Sequence, residues 1–252
     1  MNDLVTIITP SYNSALYIDK TIESVLSQTY TKWEMLLIDD SSSDDSPDII
    51  KSYMSKDSRI KYLKTDQPSG SPTLPRNIGI QNANGRYIAF LDSDDIWLST
   101  KLERQIALLD KSKNVAIAFS NYEKISEEGI RSDRVIIAPS YSISYRKLLK
   151  GNIIGCLTVM YDTHKIEKPY FQKIGHEDYV AWLSILKQGF FAQNTNSVEA
   201  LYRVRKNSVS ANKLRGLIWQ WNIYRNVEKM NIFRSAYYFI FYACKAAQKR
   251  MI

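Results

Sequence analysis

The first 120 residues alternate short apolar runs with amphipathic stretches. Five runs have the length and β-branched content of buried strands: residues 4–10, 33–38, 60–63, 87–91 and 115–119. The stretches between them repeat apolar residues at helical spacing: residues 17–29, 49–54, 75–83 and 98–109. Since strands and helices alternate, the pattern predicts right-handed βαβ units around a mostly parallel sheet flanked by helices, an α/β fold.

The alternation loosens beyond residue 125. Residues 134–137 and 156–161 are predicted as strands, residues 144–150 as a short helix, and residues 178–188 as a longer helix that ends before Gly189. The remainder, residues 211–252, is rich in aromatic and basic residues and is predicted to form two helices.

The predicted domain organisation is one α/β domain over residues 1–210 and a helical C-terminal segment over residues 211–252. No internal repeat or low-complexity stretch is present. The N-terminus lacks the basic start and long apolar core of a signal peptide, and no run of about 18 apolar residues is present to cross a bilayer. Two widely separated cysteines, Cys156 and Cys244, favour a reducing compartment. We therefore expect a cytoplasmic protein; the oligomeric state is left open.

Polar residues follow three of the predicted strands: residues 9–13, 39–44 and 92–95. Arg76 opens the helix that lies between the second and third of these groups in sequence. In an open parallel sheet, ligands bind beyond the carboxyl ends of the strands. We therefore expect these residues to form one pocket for a ligand with hydrogen-bonding edges and phosphates, although turn and capping roles are the ordinary alternative for Asp40 and a surface charge for Arg76.

The densest acidic cluster is Asp92-Ser93-Asp94-Asp95, directly after an apolar strand. Like charges this close repel one another unless a cation shares the site. Carboxylate oxygens at a strand end suit Mn²⁺ or Mg²⁺, ions that also hold substrate phosphates. The alternative is helix capping, because acids are also favoured at helix N-termini.

A set of short motifs resembles glycosyltransferase family 2 in the right order over residues 4–210. They are Thr-Pro-Ser-Tyr-Asn at 9–13, Ser-Val-Leu-Ser-Gln-Thr-Tyr at 24–30, Ile-Asp-Asp-Ser-Ser-Ser-Asp at 38–44, Arg-Asn-Ile-Gly at 76–79, the segment 85–95, and Gly-His-Glu-Asp at 175–178. The resemblance implies a GT-A fold with a nucleotide-binding half at about 1–120 and an acceptor half at about 121–210. It also implies inverting transfer of a sugar from a nucleotide donor, usually a UDP-sugar, with a divalent metal.

The resemblance assigns the donor-binding residues by position. Pro10 and Tyr12 would flank the uracil ring, and Asp40 would accept a hydrogen bond from the base. Arg76 would lie near the base or the diphosphate, and Arg203 or Arg205 would meet the diphosphate.

The resemblance also assigns the residues that carry the chemistry. Asp92 would lie near the ribose or a metal-bound water, and Asp94 would be the direct metal ligand. Asp178 would be the general base that deprotonates the acceptor hydroxyl, and we prefer it to Glu177 by position. The alternative for Glu177 and Asp178 is stabilisation of a helix N-terminus. His176 is expected either to shape the acceptor site or to be structural.

Two segments depart from the family pattern. Ser41 stands where the family commonly has glycine, so the loop is expected to take a different turn. Residues 70–75 contain two prolines where the family often has small residues, which stiffens the approach to Arg76.

The net charge of +8 is concentrated in the tail, since residues 203–252 contain eleven Lys or Arg and a single acid, Glu228. Aromatic residues interleave with these cations, a composition that suits an anionic membrane surface. We expect peripheral attachment to the inner face of a bacterial cytoplasmic membrane. The alternatives are packing on the α/β body or in a dimer, and nucleic acid, which the carboxylate-rich rim would repel.

These features predict an inverting glycosyltransferase that extends a lipid-linked or polysaccharide acceptor. One alternative is a nucleotidyltransferase that makes sugar nucleotides, although residues 10–14 lack the Gly- and Lys/Arg-rich loop that holds a triphosphate. The other alternative is a non-catalytic nucleotide-binding module.

Overall fold

The computed structural model describes residues 3–205 and 213–248, and it contains one central sheet flanked by helices. The strands are β1 (Val5–Ser11), β2 (Trp33–Asp39), β3 (Ile60–Lys64), β4 (Tyr87–Phe90), β5 (Ile96–Trp97), β6 (Val115–Ile125), β7 (Arg131–Ile136), β8 (Met160–Asp162) and β9 (Phe191–Arg203). The helices are α1 (Ile18–Leu26), α2 (Ser46–Met54), α3 (Thr73–Asn82), α4 (Lys101–Lys111), α5 (Tyr145–Leu148), α6 (Glu177–Lys187), α7 (Lys213–Asn222) and α8 (Ile232–Gln248).

The sheet has the strand order β3-β2-β1-β4-β8-β6-β9-β5, and β7 pairs with β6. Strands β3, β2, β1 and β4 are parallel, as the βαβ pattern predicts. Strand β8 pairs antiparallel with both β4 and β6, so the sheet becomes mixed beyond β4. Because β1, β2 and β4 run in the same direction, their carboxyl ends meet at one edge.

The core lies on both faces of the sheet. On one face Ile8 packs with residues of α3 and α6, and on the other Ile7 packs with residues of α1, α2 and α4. Helix α3 comes very close to β1, because a Cβ on Gly79 would lie 2.5 Å from Ile8 Cγ2. Glycine at this position therefore lets α3 carry Arg76 to the edge of the sheet.

One strand was missed, and two local predictions are wrong in their bounds. The 13-residue strand β9 was not predicted, because the polar run at 193–197 breaks the apolar pattern while β9 is paired on both sides, with β6 and β5. The strand expected at 156–161 begins with a 3-10 turn, Cys156–Thr158, and only Met160–Asp162 pairs in the sheet. The helix expected from residue 98 begins at Lys101 and follows the short strand β5.

The C-terminal segment forms the two expected helices, joined by a π-helical turn, Ile223–Val227. One side packs on the α/β body: Tyr224 is buried and donates a hydrogen bond to the carbonyl oxygen of Leu149. Glu228 pairs with Lys187 at 2.9 Å. The predicted domain boundary at residue 210 lies outside the described residues. Within the described chain, every helix is too short or too polar to cross a membrane.

Candidate active site

A cavity of about 780 Å³ opens beyond the carboxyl ends of β1, β2 and β4. The residues to which the sequence assigns a donor-binding, metal-binding or catalytic role line it: Pro10, Tyr12, Asp40, Arg76, Asp92, Asp94, Asp178, Arg203 and Arg205. We call the loops after β1, β2 and β4 the strand-end wall. The first turn of α6, opposite them, is the α6 wall.

The loops after β1 and β2 are fastened to each other. Asn13 has a left-handed backbone (φ 46°), its N–H donates to Ser42 Oγ, and its side chain accepts from the N–H of Ser43. Ser41 also adopts a left-handed conformation (φ 57°), the one that glycine adopts without strain. Its hydroxyl donates to the carbonyl oxygen of Thr65 at 2.6 Å. A hydrogen bond therefore holds this turn at Ser41, whereas glycine would adopt the same backbone conformation without strain.

Asp40 lies buried in the strand-end wall and organises the neighbouring loop. Its carboxylate accepts hydrogen bonds from the N–H and hydroxyl of Ser69 and from the hydroxyl of Thr65, at 2.8–3.0 Å. Tyr12 lies at the rim, with 53% of its surface exposed. Asp40 thus holds the loop after β3 against the carboxyl end of β2.

The acidic cluster lies on a tight turn after β4. Asp95 is buried and accepts a hydrogen bond from the N–H of Arg203 at 2.8 Å. Burial, together with the charges of Asp94 and Asp92, raises the pKa of Asp95 well above its ordinary value. Burial and the charge of Asp92 also raise the pKa of Asp94. Burial and mutual repulsion therefore disfavour the charged form of these carboxylates.

Two arginines from the end of β9 meet this turn. Arg203 Nε donates to the carbonyl oxygen of Asp94 at 2.8 Å, and its Nη1 donates to the carbonyl oxygens of Ser126 and Glu127. Its guanidinium therefore fastens the acidic turn to the β6–β7 connection. The cation that reaches the carboxylate of Asp94 is Arg205, at 3.3 Å.

Arg76 joins the two walls. Its Nη2 lies 2.6 Å from Asp92 Oδ1, and its Nη1 lies 3.3 Å from Glu177 Oε1. The guanidinium also lies over the ring of Phe171 and is almost fully buried. Although burial lowers the pKa of Arg76, the charges of Asp92 and Glu177 outweigh it and raise that pKa. A permanently charged arginine therefore links the strand-end wall to the α6 wall.

Asp178 occupies the first turn of α6. Its Oδ2 accepts a hydrogen bond from Asn152 Nδ2 at 3.0 Å, and its Oδ1 accepts from the N–H of Tyr179 at 2.7 Å. Burial raises the pKa of Asp178, and the hydrogen bonds and the charge of Arg76 act against that rise. Sequence reasoning missed Asn152, because nothing in its local pattern indicates a contact with a residue 26 positions away.

The donor atoms at the acidic turn suit a hard divalent cation. Asp92 and Asp94 offer only oxygens, and Mg²⁺ in particular is usually held by one or two carboxylates together with substrate phosphates. A cation beside Asp94 would also offset the burial and the repulsion from Asp92 that raise the pKa of this carboxyl. Among residues 3–205 and 213–248, no three His, Cys, Asp or Glu side chains are grouped to hold an ion alone.

This sheet order, with a cavity at the carboxyl ends of the parallel strands, is that of the GT-A fold, and solved structures share it. Staphylococcus aureus TarS 1-349 in complex with UDP-GlcNAc has a TM-score of 0.72 at 18% identity, over 95% of this chain and 71% of that one. The mannosyltransferase PcManGT from Pyrobaculum calidifontis, in complex with GDP-Man and Mn²⁺, has a TM-score of 0.69 at 15% identity, over 96% and 73% of the two chains.

Sequence comparison gives the family. The model of glycosyl transferase family 2 matches residues 6–165, and this chain belongs to that family. The putative teichuronic acid biosynthesis glycosyltransferase TuaG of Bacillus subtilis is 40% identical over 251 residues, 98% of each chain. The Escherichia coli UDP-Glc:alpha-D-GlcNAc-diphosphoundecaprenol beta-1,3-glucosyltransferase WfgD is 42% identical over 221 residues, 87% of this chain and 85% of that protein. The chain is an enzyme that transfers sugars, and the non-catalytic alternative is set aside.

Proposed function

We propose that this enzyme transfers a sugar, with inversion, from a UDP-sugar to a hydroxyl of a lipid-linked glycan. The observation that carries the proposal is the shared cavity of Asp94 and Asp178. Arg76 spans the same cavity from Asp92 to Glu177. A donor diphosphate at the strand-end wall and an acceptor hydroxyl at the α6 wall would thus meet in one space.

In this mechanism Asp178 is the general base. As the acceptor oxygen bonds to the anomeric carbon, its proton passes to the carboxylate of Asp178, and the bond from that carbon to the diphosphate oxygen breaks. Asn152 and the N–H of Tyr179 orient the carboxylate. One base is enough, because attack and departure occur on opposite faces of the anomeric carbon.

The strand-end wall binds the donor. Pro10 and Tyr12 flank the base, Asp40 receives a hydrogen bond from it, and the Arg203–Arg205 segment lies beside the diphosphate. Asp94, with Asp92, would hold Mn²⁺ or Mg²⁺, which neutralises the departing diphosphate when bound.

The proposed substrate class is inferred from proteins that are similar in sequence to this chain. WfgD is named for a UDP-Glc donor and a GlcNAc-diphosphoundecaprenol acceptor, and a second E. coli protein with the same activity in its name, WfaP, is 43% identical over 228 residues. The structural neighbours bind UDP-GlcNAc or GDP-Man, so the fold by itself leaves the nucleotide open. The chain's similarity to WfgD and WfaP favours UDP.

A direct assay tests the reaction. Purified enzyme with Mn²⁺ and radiolabelled UDP-glucose, UDP-galactose or UDP-GlcNAc would be incubated with a GlcNAc-diphospholipid of short chain. We expect one donor to give a β-linked, lipid-extractable product and stoichiometric UDP, and EDTA to abolish it. Transfer from a GDP-sugar alone, or an α-linked product, would overturn the proposal.

We further propose that α8 attaches the enzyme to the inner face of the bacterial cytoplasmic membrane. The side of α8 that faces away from the body exposes Phe233, Tyr237 and Ile240, at the i, i+4 and i+7 spacing of one helical face. Exposed Arg234 lies beside them and suits anionic headgroups.

Vesicle flotation tests this attachment. Phe233→Ser with Ile240→Ser should lower binding to phosphatidylglycerol-containing vesicles at least tenfold. Ile137→Ser, which removes an equally exposed apolar residue outside α8, should leave binding unchanged. Equal flotation of wild type and the α8 variant would show that this face binds no membrane.

A further inference from the structure

Helix α7 packs directly on the turn that begins α6. A Cβ built on Gly175 would lie 1.9 Å from Cδ2 of the Trp219 indole, so only glycine fits beneath this ring. The rings of His176 and Trp219 lie edge to face, with centroids 5.4 Å apart. A residue more than 40 positions away in sequence therefore covers both residues that precede Glu177 and Asp178.

The turn itself has a strained backbone. His176, the N-cap residue of α6, has φ 60° and ψ 45°, the left-handed conformation. For a residue other than glycine this conformation is strained, and it persists where the surroundings hold it. The packing of Trp219 on residues 175 and 176 supplies such a restraint, and the turn sets the direction in which the first turn of α6 enters the cavity.

We infer that Trp219 is a positioning residue for Asp178, so that α7 completes the active site. This inference rests on the proposed role of Asp178 as general base. A shift of about 1 Å in a catalytic group remote from the mutation can cost 10²-fold in rate. The ring of Trp219 would thereby affect the rate of transfer without touching the substrate.

The chain offers a matched control in the same helix. Trp221 lies two residues further along α7, and its ring contacts Phe239 of α8 edge to face, at 5.4 Å. Trp221→Ala therefore removes the same side chain from the same helix, at a position whose ring contact is with α8.

The test compares Trp219→Ala, Trp219→Phe and Trp221→Ala in the full-length enzyme. We expect Trp219→Ala to lower kcat by 10- to 100-fold with the donor KM and UDP affinity unchanged. Trp219→Phe should keep kcat within threefold, since it preserves a flat ring over Gly175, and Trp221→Ala should do the same. If Trp219→Ala fails to melt cooperatively, Trp219→Leu is assayed by the same criteria.

A double-mutant cycle sharpens the assignment. Gly175→Ala should also lower kcat, because the new methyl group displaces the indole. The double variant should lose no more kcat than Trp219→Ala alone. Additive losses, or a kcat within threefold of wild type in folded Trp219→Ala, would overturn the inference while leaving the proposed function intact. Absence of transfer in the wild type would instead remove the proposed function.

Discussion

The two walls of the cavity are built in different ways. The strand-end wall comes from β1, β2 and β4, which are neighbouring parallel strands. Strands β1 and β4 each contribute a short run of consecutive residues at the carboxyl end, and β2 contributes Asp40. The α6 wall depends on contacts between distant segments: Asn152 orients Asp178, and Trp219 covers Gly175. The strand-end wall, the proposed donor-binding surface, is thus local in sequence, whereas the α6 wall, which presents the proposed base, is assembled by tertiary packing.

The largest expected effect comes from the α6 wall. Asp178→Asn keeps the shape of the side chain and one of its two accepted hydrogen bonds but removes the proton acceptor. We expect kcat to fall about 10³-fold, within the range for loss of a general base, while UDP binding is retained. Unchanged turnover would remove Asp178 as the base and shift attention to Glu177.

Substitution of Arg76, which links the two walls, should give the next largest effect. Arg76→Met leaves Asp92 and Glu177 without their shared cation, and we expect kcat/KM to fall about 10²-fold, together with a lower melting temperature. Arg86→Met is the control, because Arg86 pairs with buried Asp162 at 2.7 Å outside the cavity. It should lower the melting temperature alone, and an equal loss of activity in both variants would show that the Arg76 effect is only structural.

The pH dependence of turnover tests how the α6 wall tunes its carboxylate. Burial raises the pKa of Asp178, so activity should fall as pH drops through that raised value, with an acidic limb above the pH at which a free aspartate titrates. The hydrogen bond from Asn152 acts in the opposite direction. Asn152→Ala should therefore move the acidic limb of kcat to higher pH, and a move to lower pH would contradict this account.

The smallest effect concerns stability outside both walls. Lys101 is fully buried, donates to Gln105 Oε1 at 2.5 Å, and burial lowers its pKa from 10.5 to about 7. The unfolded chain binds the proton more tightly, so this destabilisation is fully present below pH 7 and is lost as pH rises toward 10.5.

Lys101→Met should therefore raise the free energy of unfolding by roughly 1–3 kcal/mol at pH 6 and by less at pH 9, as measured by urea denaturation. A gain that is equal at the two pH values would show that Lys101 is not neutralised on folding.

The fold was predictable where the sequence pattern is local. The parallel strands β1 to β4 follow from apolar runs separated by helical spacing, and the polar residues at their ends could be placed at one edge of the sheet. Strand β9 escaped prediction because its polar stretch at 193–197 breaks the alternation that marks a strand. Its pairing with β6 depends on residues about 75 positions away.

The candidate site shows the same difference between features that are local in sequence and features that depend on distant residues. The cavity residues were identifiable as motifs, whereas the residues that hold them were not. Arg203 illustrates this, since its sequence position suggests a phosphate ligand while its guanidinium holds the carbonyl oxygens of Asp94, Ser126 and Glu127. Hydrogen bonds to backbone carbonyls leave no trace in a sequence pattern, so a motif alone cannot separate the two roles.

The proposed function requires that Asp94 hold a divalent cation against the donor diphosphate, in the cavity that also contains Asp178. Calorimetric titration of UDP, with and without Mn²⁺, into wild type, Asp94→Asn and Asp178→Asn tests it most directly. We predict that Mn²⁺ strengthens UDP binding to wild type and to Asp178→Asn, and that Asp94→Asn loses this metal-dependent gain. A gain of the same size in Asp94→Asn would contradict the claim.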